Sequence, residues 1–299
     1  MYDVIIIGAG PAGITAAIYA VRKKVETLII TKDIGGQTAL SGDVENYTGY
    51  QFISGPELVL KFEEHLRKFN IALKENEAVR EIAKIGGIIQ VKTDKCLYEA
   101  KSIIIASGKR SRELNVPGEK EFKNKGLTYC ATCDGPLFSN KDVAIIGGGN
   151  SALDAAVQLM RIANKVYIIN IAPELTGDAV MREAVEGSDK VSIFNNTRVE
   201  EVLGDRMVSA IRIKKEDKES LLSVQGVFVE IGLIPNSDFT SGIDKNNSGE
   251  IIVNSHNETN IPGIFAAGDV TDVPEKQIVI AAGEGAKAAL GIFKYLIYN

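Results

Sequence analysis

Cysteine and histidine are scarce in this chain: three cysteines and two histidines among 299 residues. Three cysteines cannot staple a small secreted fold, and such sparse use fits a reducing compartment. His65 and His256 are isolated, and with Cys96 they are the only soft ligands outside the cysteine pair described below. A four-ligand zinc site and a cysteine–histidine mechanism therefore have no support. Excess positive charge is also missing. A net charge of -5 gives no electrostatic footprint for nucleic acid or an anionic membrane. The uncharged stretch from Ile5 to Val21 is broken by Gly8, Gly10, Pro11 and Gly13. Only Asp3 precedes it, where a signal peptide wants basic residues. A cytoplasmic protein that engages neither nucleic acid nor membrane is the expectation.

Two segments share one pattern. Asp3-Val-Ile-Ile-Ile-Gly-Ala-Gly-Pro-Ala-Gly13 and Asp142-Val-Ala-Ile-Ile-Gly-Gly-Gly-Asn-Ser-Ala152 each join an apolar run to a glycine turn and a helical stretch. Short apolar runs followed by glycine suit strands buried on both faces of a parallel sheet. Further such runs are Thr27–Thr31, Ser102–Ala106, Val166–Ile169, Gly226–Ile231 and Gly263–Ala267. Ile14, Ala17, Ile18 and Val21 share one helix face, as do Leu153, Ala156, Val157 and Met160. Glu57–Asn70 reads as an amphipathic surface helix, and Lys214–Glu219 as a hairpin tip or loop. The fold class expected is α/β, with two Rossmann-like dinucleotide-binding domains.

Gly8-Ala9-Gly10-Pro11-Ala12-Gly13 matches G-x-G-x-x-G between a strand and a helix. The first glycine permits the tight turn, the second lets backbone approach a pyrophosphate, and the third lets helix and strand pack closely. The pyrophosphate sits at the positive helix N-terminus, where Pro11 suits the first turn. The ribose-binding acid expected about 20 residues on is displaced: the second strand ends Thr31-Lys32-Asp33. Gly147-Gly148-Gly149-Asn150-Ser151-Ala152 is G-x-G-x-x-A, and a nicotinamide dinucleotide is the usual occupant. Its second strand, however, runs into Asn170-Ile171-Ala172-Pro173, with neither an acid for a ribose hydroxyl nor an arginine for a 2′-phosphate. Either this is a nicotinamide site with unusual contacts, or a retained fold that no longer binds nicotinamide well. Missing charge-assisted contacts favour the second.

Cys130-Ala131-Thr132-Cys133-Asp134 carries the chemistry. Two intervening residues let the sulfurs meet as a disulfide or separate as a dithiol. A thiolate attacks a partner disulfide, and the second cysteine resolves the mixed disulfide. Asp134 can relay protons to a departing thiolate.

These residues identify a resemblance. The chain is similar over essentially its whole length to the low-molecular-weight thioredoxin reductases, whose C-A-T-C-D-G motif it carries at Cys130–Gly135. Gly35-Gly36-Gln37, Val44-Glu45-Asn46, Ile105-Ala106-Ser107-Gly108, Val116-Pro117-Gly118-Glu119, Ile231-Gly232-Leu233-Ile234-Pro235-Asn236 and Ala267-Gly268-Asp269-Val270 match in the same order. The resemblance implies FAD in the first domain, held by Gly8, Gly10, Pro11, Ala12, Gly13, Thr31, Gly35, Gly36, Gln37, Asn46, Ser107 and Gly108. It adds Gly268, with Asp269 on the ribityl chain and Lys276-Gln277-Ile278 at the isoalloxazine ring. It implies Cys133 as the flavin-proximal sulfur, Cys130 as the attacker of thioredoxin, Asp134 as proton donor, and a homodimer. It also implies an insertion: residues 1–112 and 241–299 form the FAD domain, and 113–240 the domain carrying the cysteines.

One departure bears on the electron donor. NADPH-using members carry His-Arg-Arg, three residues, then Arg where this chain has Asn170, Ile171, Ala172 and Thr176. All three arginines are gone, which puts NADPH in doubt. The pattern resembles the pyridine-nucleotide-independent subgroup, in which reduced ferredoxin supplies the electrons. Lys109 to Lys125, with six basic and three acidic residues, is a candidate docking face for that acidic partner. The rival readings are an NAD(P)H-dependent thioredoxin reductase with atypical contacts and a flavin dithiol oxidase.

Overall fold

A computed structural model describes residues 1–298 apart from Gly42 and Glu45. The side chains of Leu40, Asp43, Thr132 and Cys133 also lie outside the described residues. The middle residue of Val44-Glu45-Asn46 and the sulfur of Cys133 are thus not described.

The chain divides into two compact units, Met1–Arg110 with Ile234–Asn299, and Ser111–Leu233. The second boundary falls earlier than residue 240. The reason is that Asn236 to Thr240 bond into the first unit. Asn236 N donates to Gly108 O at 2.9 Å, Asn236 Nδ2 to Ser107 O at 2.8 Å, and Ser237 Oγ to Gly249 O at 2.6 Å.

In the first unit, Tyr2–Ala9 pairs in parallel with Thr27–Ile34 on one side and Leu97–Ile105 on the other. Ala72–Lys74 extends one edge. On the other side, Ile88–Thr93 adds antiparallel to Leu97–Ile105, and Val79–Ile85 adds antiparallel to Ile88–Thr93. Ile264–Ala266 returns parallel to Leu97–Ile105, with Ile264 opposite Ile103. Val4, Ile5 and Ile6 are fully buried because this strand is covered on both faces. Helices Pro11–Arg22 and Ile278–Tyr298 pack on one face, where Ile14, Ala17, Ala288 and Ile292 share a core with Val4 and Ile6. The C-terminal segment therefore completes this unit.

In the second unit, five parallel strands take the order Leu127–Thr128, Gly226–Val229, Asp142–Ile146, Lys165–Ile169, Val191–Phe194. The helix Asn150–Leu159 buries Leu153, Ala156 and Leu159 against it. An antiparallel sheet of Thr197–Gly204, Val208–Lys215 and Lys218–Ser223 follows. The charged hairpin tip is Glu216 and Asp217, with Glu216 at φ 52°. Gly55–Arg67 is the expected amphipathic helix, opened by a capping box between Ser54 and Glu57. Among the described residues no helix is long and apolar enough to cross a membrane.

Candidate active site

The first glycine turn floors a cleft of about 1010 Å³ lying wholly within the first unit. Gly8 sits at φ 105°, where a Cβ would lie 2.3 Å from Ala106 O. At Gly13 a Cβ would lie 1.9 Å from Gly8 O, so only glycine lets the helix start this close to the strand. Gly10 has no such neighbour, and its face opens into the cleft. Gly10 caps the helix without a side-chain bond, which leaves first-turn N–H groups available to an anion.

Gly8, Gly10, Pro11, Ala12, Thr31, Gly36, Gln37, Ser107, Gly108, Gly268, Asp269, Lys276, Gln277 and Ile278 all line this cleft. Gly13, Gly35 and Asn46 do not line it; they support it. Gly35 N donates to Ala9 O at 2.7 Å, and Asn46 Nδ2 donates to Gln277 Oε1 at 3.0 Å. Thr31 Oγ1 accepts from Ala9 N at 3.2 Å, tying the second strand to the turn. The Ser107 hydroxyl is occupied, donating to Asn236 O at 2.6 Å.

Asp269 has no side-chain hydrogen-bond partner among the described residues. Burial pushes its carboxyl up, while Lys276 and Lys109 draw it back. An acceptor left over in a cleft of this size and shape fits a polyhydroxylated chain of the kind FAD carries. Gly268 N donates to buried Glu284 Oε2 at 2.8 Å, which fixes the turn that presents Asp269.

Sequence reasoning missed the charge cluster beside Asp269. Glu250 Oε1 accepts from Lys109 Nζ at 2.7 Å and lies 3.3 Å from Lys276 Nζ, with the three side chains only 14%, 12% and 21% exposed. It also missed Lys32, Glu77 and Arg80, which line the same cleft. The signal was thin, because Glu250 is remote in sequence from both lysines.

The cluster takes Lys109 out of the expected basic face. Lys109 is turned into the cleft, Arg110 is paired with Asp238 at 3.0 Å, and Glu119 is buried. Arg110, Arg112, Lys120, Lys123 and Lys125 are exposed, and only Lys109 of the six cations is withdrawn from the surface. Glu119 is instead a structural anchor. It accepts from Leu114 N and Asn115 N, both at 2.6 Å, and from Tyr129 OH at 2.7 Å.

That anchor holds the residue before the cysteines. Cys130 is disulfide-bonded and opens the short helix Ala131–Asp134, whereas Cys96 is free and exposed. Cys130 N donates to Thr128 Oγ1 at 3.2 Å, and the same hydroxyl donates to Asp134 Oδ2 in a short bond. Asp134 is therefore held within one turn of Cys130, and its N–H donates to Cys130 O at 3.2 Å. Cys133 falls in the same short helix, and its sulfur lies outside the described residues.

Glu230 is a further residue that sequence reasoning missed. It follows Gly226–Val229 and accepts a hydrogen bond from Ala131 N. Burial first, then the charge of Asp154, pushes its carboxyl up to about 7 against that bond. Its signal was present: one ionisable side chain closing an apolar strand.

At the second glycine loop, Asn170 is buried and fully engaged. Its Nδ2 donates to Glu174 O at 2.8 Å and Asn195 Oδ1 at 2.9 Å, and its Oδ1 accepts from Ala172 N at 3.1 Å. Ile171 is 77% exposed, and Thr176 N donates to Gly148 O at 2.8 Å. Arg182 Nη1 donates to Leu175 O at 3.4 Å, and its Nε is buried without a partner. Among the described residues no group of three or more His, Cys, Asp and Glu could hold a metal.

Comparison with known proteins agrees with this geometry. Residues 2–285 match the model of the pyridine nucleotide-disulphide oxidoreductases. A protein named NADH dehydrogenase from Ferdinandcohnia aciditolerans is 42% identical over all of this chain, which spans 58% of that relative's length. The chain thus covers little more than half of such curated relatives. The Lactococcus lactis thioredoxin reductase structure superposes with a TM-score of 0.86 at 36% identity, covering 100% of both chains. A ferredoxin-flavin thioredoxin reductase from Clostridium acetobutylicum gives 0.56 at 32% identity, covering 100% of this chain and 99% of that one. With its glycine turn, its cleft fitted to FAD and this match, the chain belongs to the pyridine nucleotide-disulphide oxidoreductase family.

Proposed function

We propose that this chain reduces a thioredoxin-type protein disulfide through Cys130 and Cys133, with electrons drawn from reduced ferredoxin rather than NADPH. The observation that carries the choice of donor is the engagement of Asn170. Where a nucleotide-binding member needs a charged reader, this side chain spends its amide on Glu174, Asn195 and Ala172. Ile171 and Ala172 offer no charge to a phosphate, so binding loses its strongest polar contacts.

In this reading, Gly10, Ala12 and the first helical turn hold the pyrophosphate of FAD. Asp269 would accept from its ribityl chain, and Lys276, Gln277 and Ile278 would hold its ring. FAD, when bound, supplies a centre that takes electrons singly and yields them in pairs. Cys130 attacks the partner disulfide and Cys133 resolves it. Asp134, held by Thr128, carries the proton to the leaving sulfur. The exposed cations Arg112, Lys120, Lys123 and Lys125 meet an acidic partner, and the assembly is a homodimer. A donor near about -400 mV and a thioredoxin near about -270 mV leave roughly 130 mV. For two electrons that is about 6 kcal/mol downhill.

The test is anaerobic: the yellow holoprotein is mixed with NADPH, NADH or reduced ferredoxin and its visible absorbance followed. Bleaching by ferredoxin alone is expected, and prompt bleaching by either nucleotide refutes this choice of donor. The second reading, an NAD(P)H-dependent reductase, draws on Arg182, whose unpaired Nε sits beside the same loop. Nucleotide binding that is lost in Arg182→Met would favour it.

A further inference from the structure

Strands Leu127–Thr128 and Gly226–Val229 are parallel, with Leu127 opposite Val227 and Thr128 opposite Phe228. Beyond Thr128 the first chain turns into the cysteine helix, and beyond Val229 the second reaches Glu230. The contact follows: Glu230 accepts from the N–H of Ala131, the residue after the disulfide-bonded Cys130. Glu230 is not free to drift. Its own N–H donates to Ile146 O at 2.8 Å, and its carbonyl backs onto Gly147, where a Cβ would lie 2.2 Å away. Two carboxyls thus flank the cysteine helix, Asp134 from within and Glu230 from the C-terminal end of an interior strand. Asp154 on the helix Asn150–Leu159 is the further charge acting on Glu230.

We propose that Glu230 is a positioning and charge-switching residue for the cysteine pair. Ionised, it grips the Ala131 amide and repels a thiolate at Cys130; neutral, it lifts that repulsion. The inference rests on the reading of Cys130 and Cys133 as a redox pair. Reduction breaks the S–S bond and takes two electrons from a dithiol reductant. One sulfur takes a proton from solvent and the other is left as thiolate. Where Glu230 titrates, the new negative charge draws a further proton from solvent onto its carboxyl. Burial and Asp154 place that titration near neutrality, at about 7.

The experiment uses the FAD-loaded full chain, wild type, Glu230→Gln and Glu230→Ala. Each is equilibrated with reduced and oxidised dithiothreitol from pH 5.5 to 8.5, and the cysteine state is read by mass-tagged alkylation. The wild-type potential plotted against pH is expected to bend within one unit of pH 7. Glu230→Gln keeps an oxygen for Ala131 but loses the bend. Its reduced Cys130, followed by peptide mass spectrometry, reacts with iodoacetamide about three- to tenfold faster at pH 7.5. Superimposable wild-type and Glu230→Gln profiles overturn the proposal. An effect in Glu230→Ala alone also overturns it, because only the amide anchor would then matter. A straight wild-type plot does so without any variant. A wild-type disulfide that dithiothreitol cannot cycle is a different failure, and removes the redox reading itself.

Discussion

Glu250→Gln tests whether the cleft is held by charge. Glu250 bonds Lys109 at 2.7 Å and Asn246 Nδ2 at 2.6 Å, and lies 3.3 Å from Lys276. Burial acts to raise its carboxyl, but the bonds from Lys109 and Asn246 and the two ammonium charges overcome this and hold it at about 2, from an ordinary 4.5. A depression of about 2.5 units corresponds to about 3.4 kcal/mol at neutral pH. Water reaches the cleft side of the cluster, so about 2 kcal/mol is the realistic share. Because the folded-state pKa is the lower one, this stabilisation is complete above pH about 4.5 and is lost as pH falls toward 2. Glutamine keeps the shape and loses the charge. Equilibrium urea denaturation of both proteins, followed by far-UV circular dichroism, should separate them by about 2 kcal/mol at pH 7 and by less than half of that at pH 3. A gap that stays constant with pH refutes the argument, since Glu250 would then act as a neutral acceptor. So does the absence of a gap at pH 7.

Three further outcomes are expected. Glu119→Ala strands three donors around a side chain only 1% exposed and should cost about 3–5 kcal/mol in urea denaturation, with Glu119→Gln nearer about 1–2 kcal/mol. Gly13→Ala drives a methyl to within 1.9 Å of Gly8 O and should cost about 2 kcal/mol or more, with flavin absorbance per protein falling by over half; full flavin loading would contradict the close approach described here. Asn170→Ala frees Ala172 N, Glu174 O and Asn195 Oδ1 and should cost about 2 kcal/mol, measured as a lower thermal midpoint, without conferring or removing reduction by NADPH.

Much of this was readable from local pattern. Val4-Ile5-Ile6-Ile7 before Gly8 and Val143-Ala144-Ile145-Ile146 before Gly147 announced two buried parallel strands, because continuous apolar runs ending in glycine leave few alternatives. All the candidate flavin contacts but Gly13, Gly35 and Asn46 line one cleft, because they come from strand ends and turns of a single unit. Lys109 differs from the other cations up to Lys125 for a physical reason: counting charges along the chain cannot show that Glu250, far away in sequence, draws Lys109 inward.

The sequence by itself determined the two strand–turn–helix units, the need for glycine at positions 8 and 13, and the cysteine pair with its neighbouring Asp134. These depend on steric and chemical rules acting within a few residues. Only the tertiary structure decided which distant groups meet them. Strand order places Leu127–Thr128 beside Gly226–Val229, and so brings Glu230 to the cysteine helix across 100 residues of chain. The same long-range pairing sets Glu250 between Lys109 and Lys276, and closes Asn170 into its own loop. Charge and burial at those positions are properties of the assembled sheets, and no window along the sequence contains them.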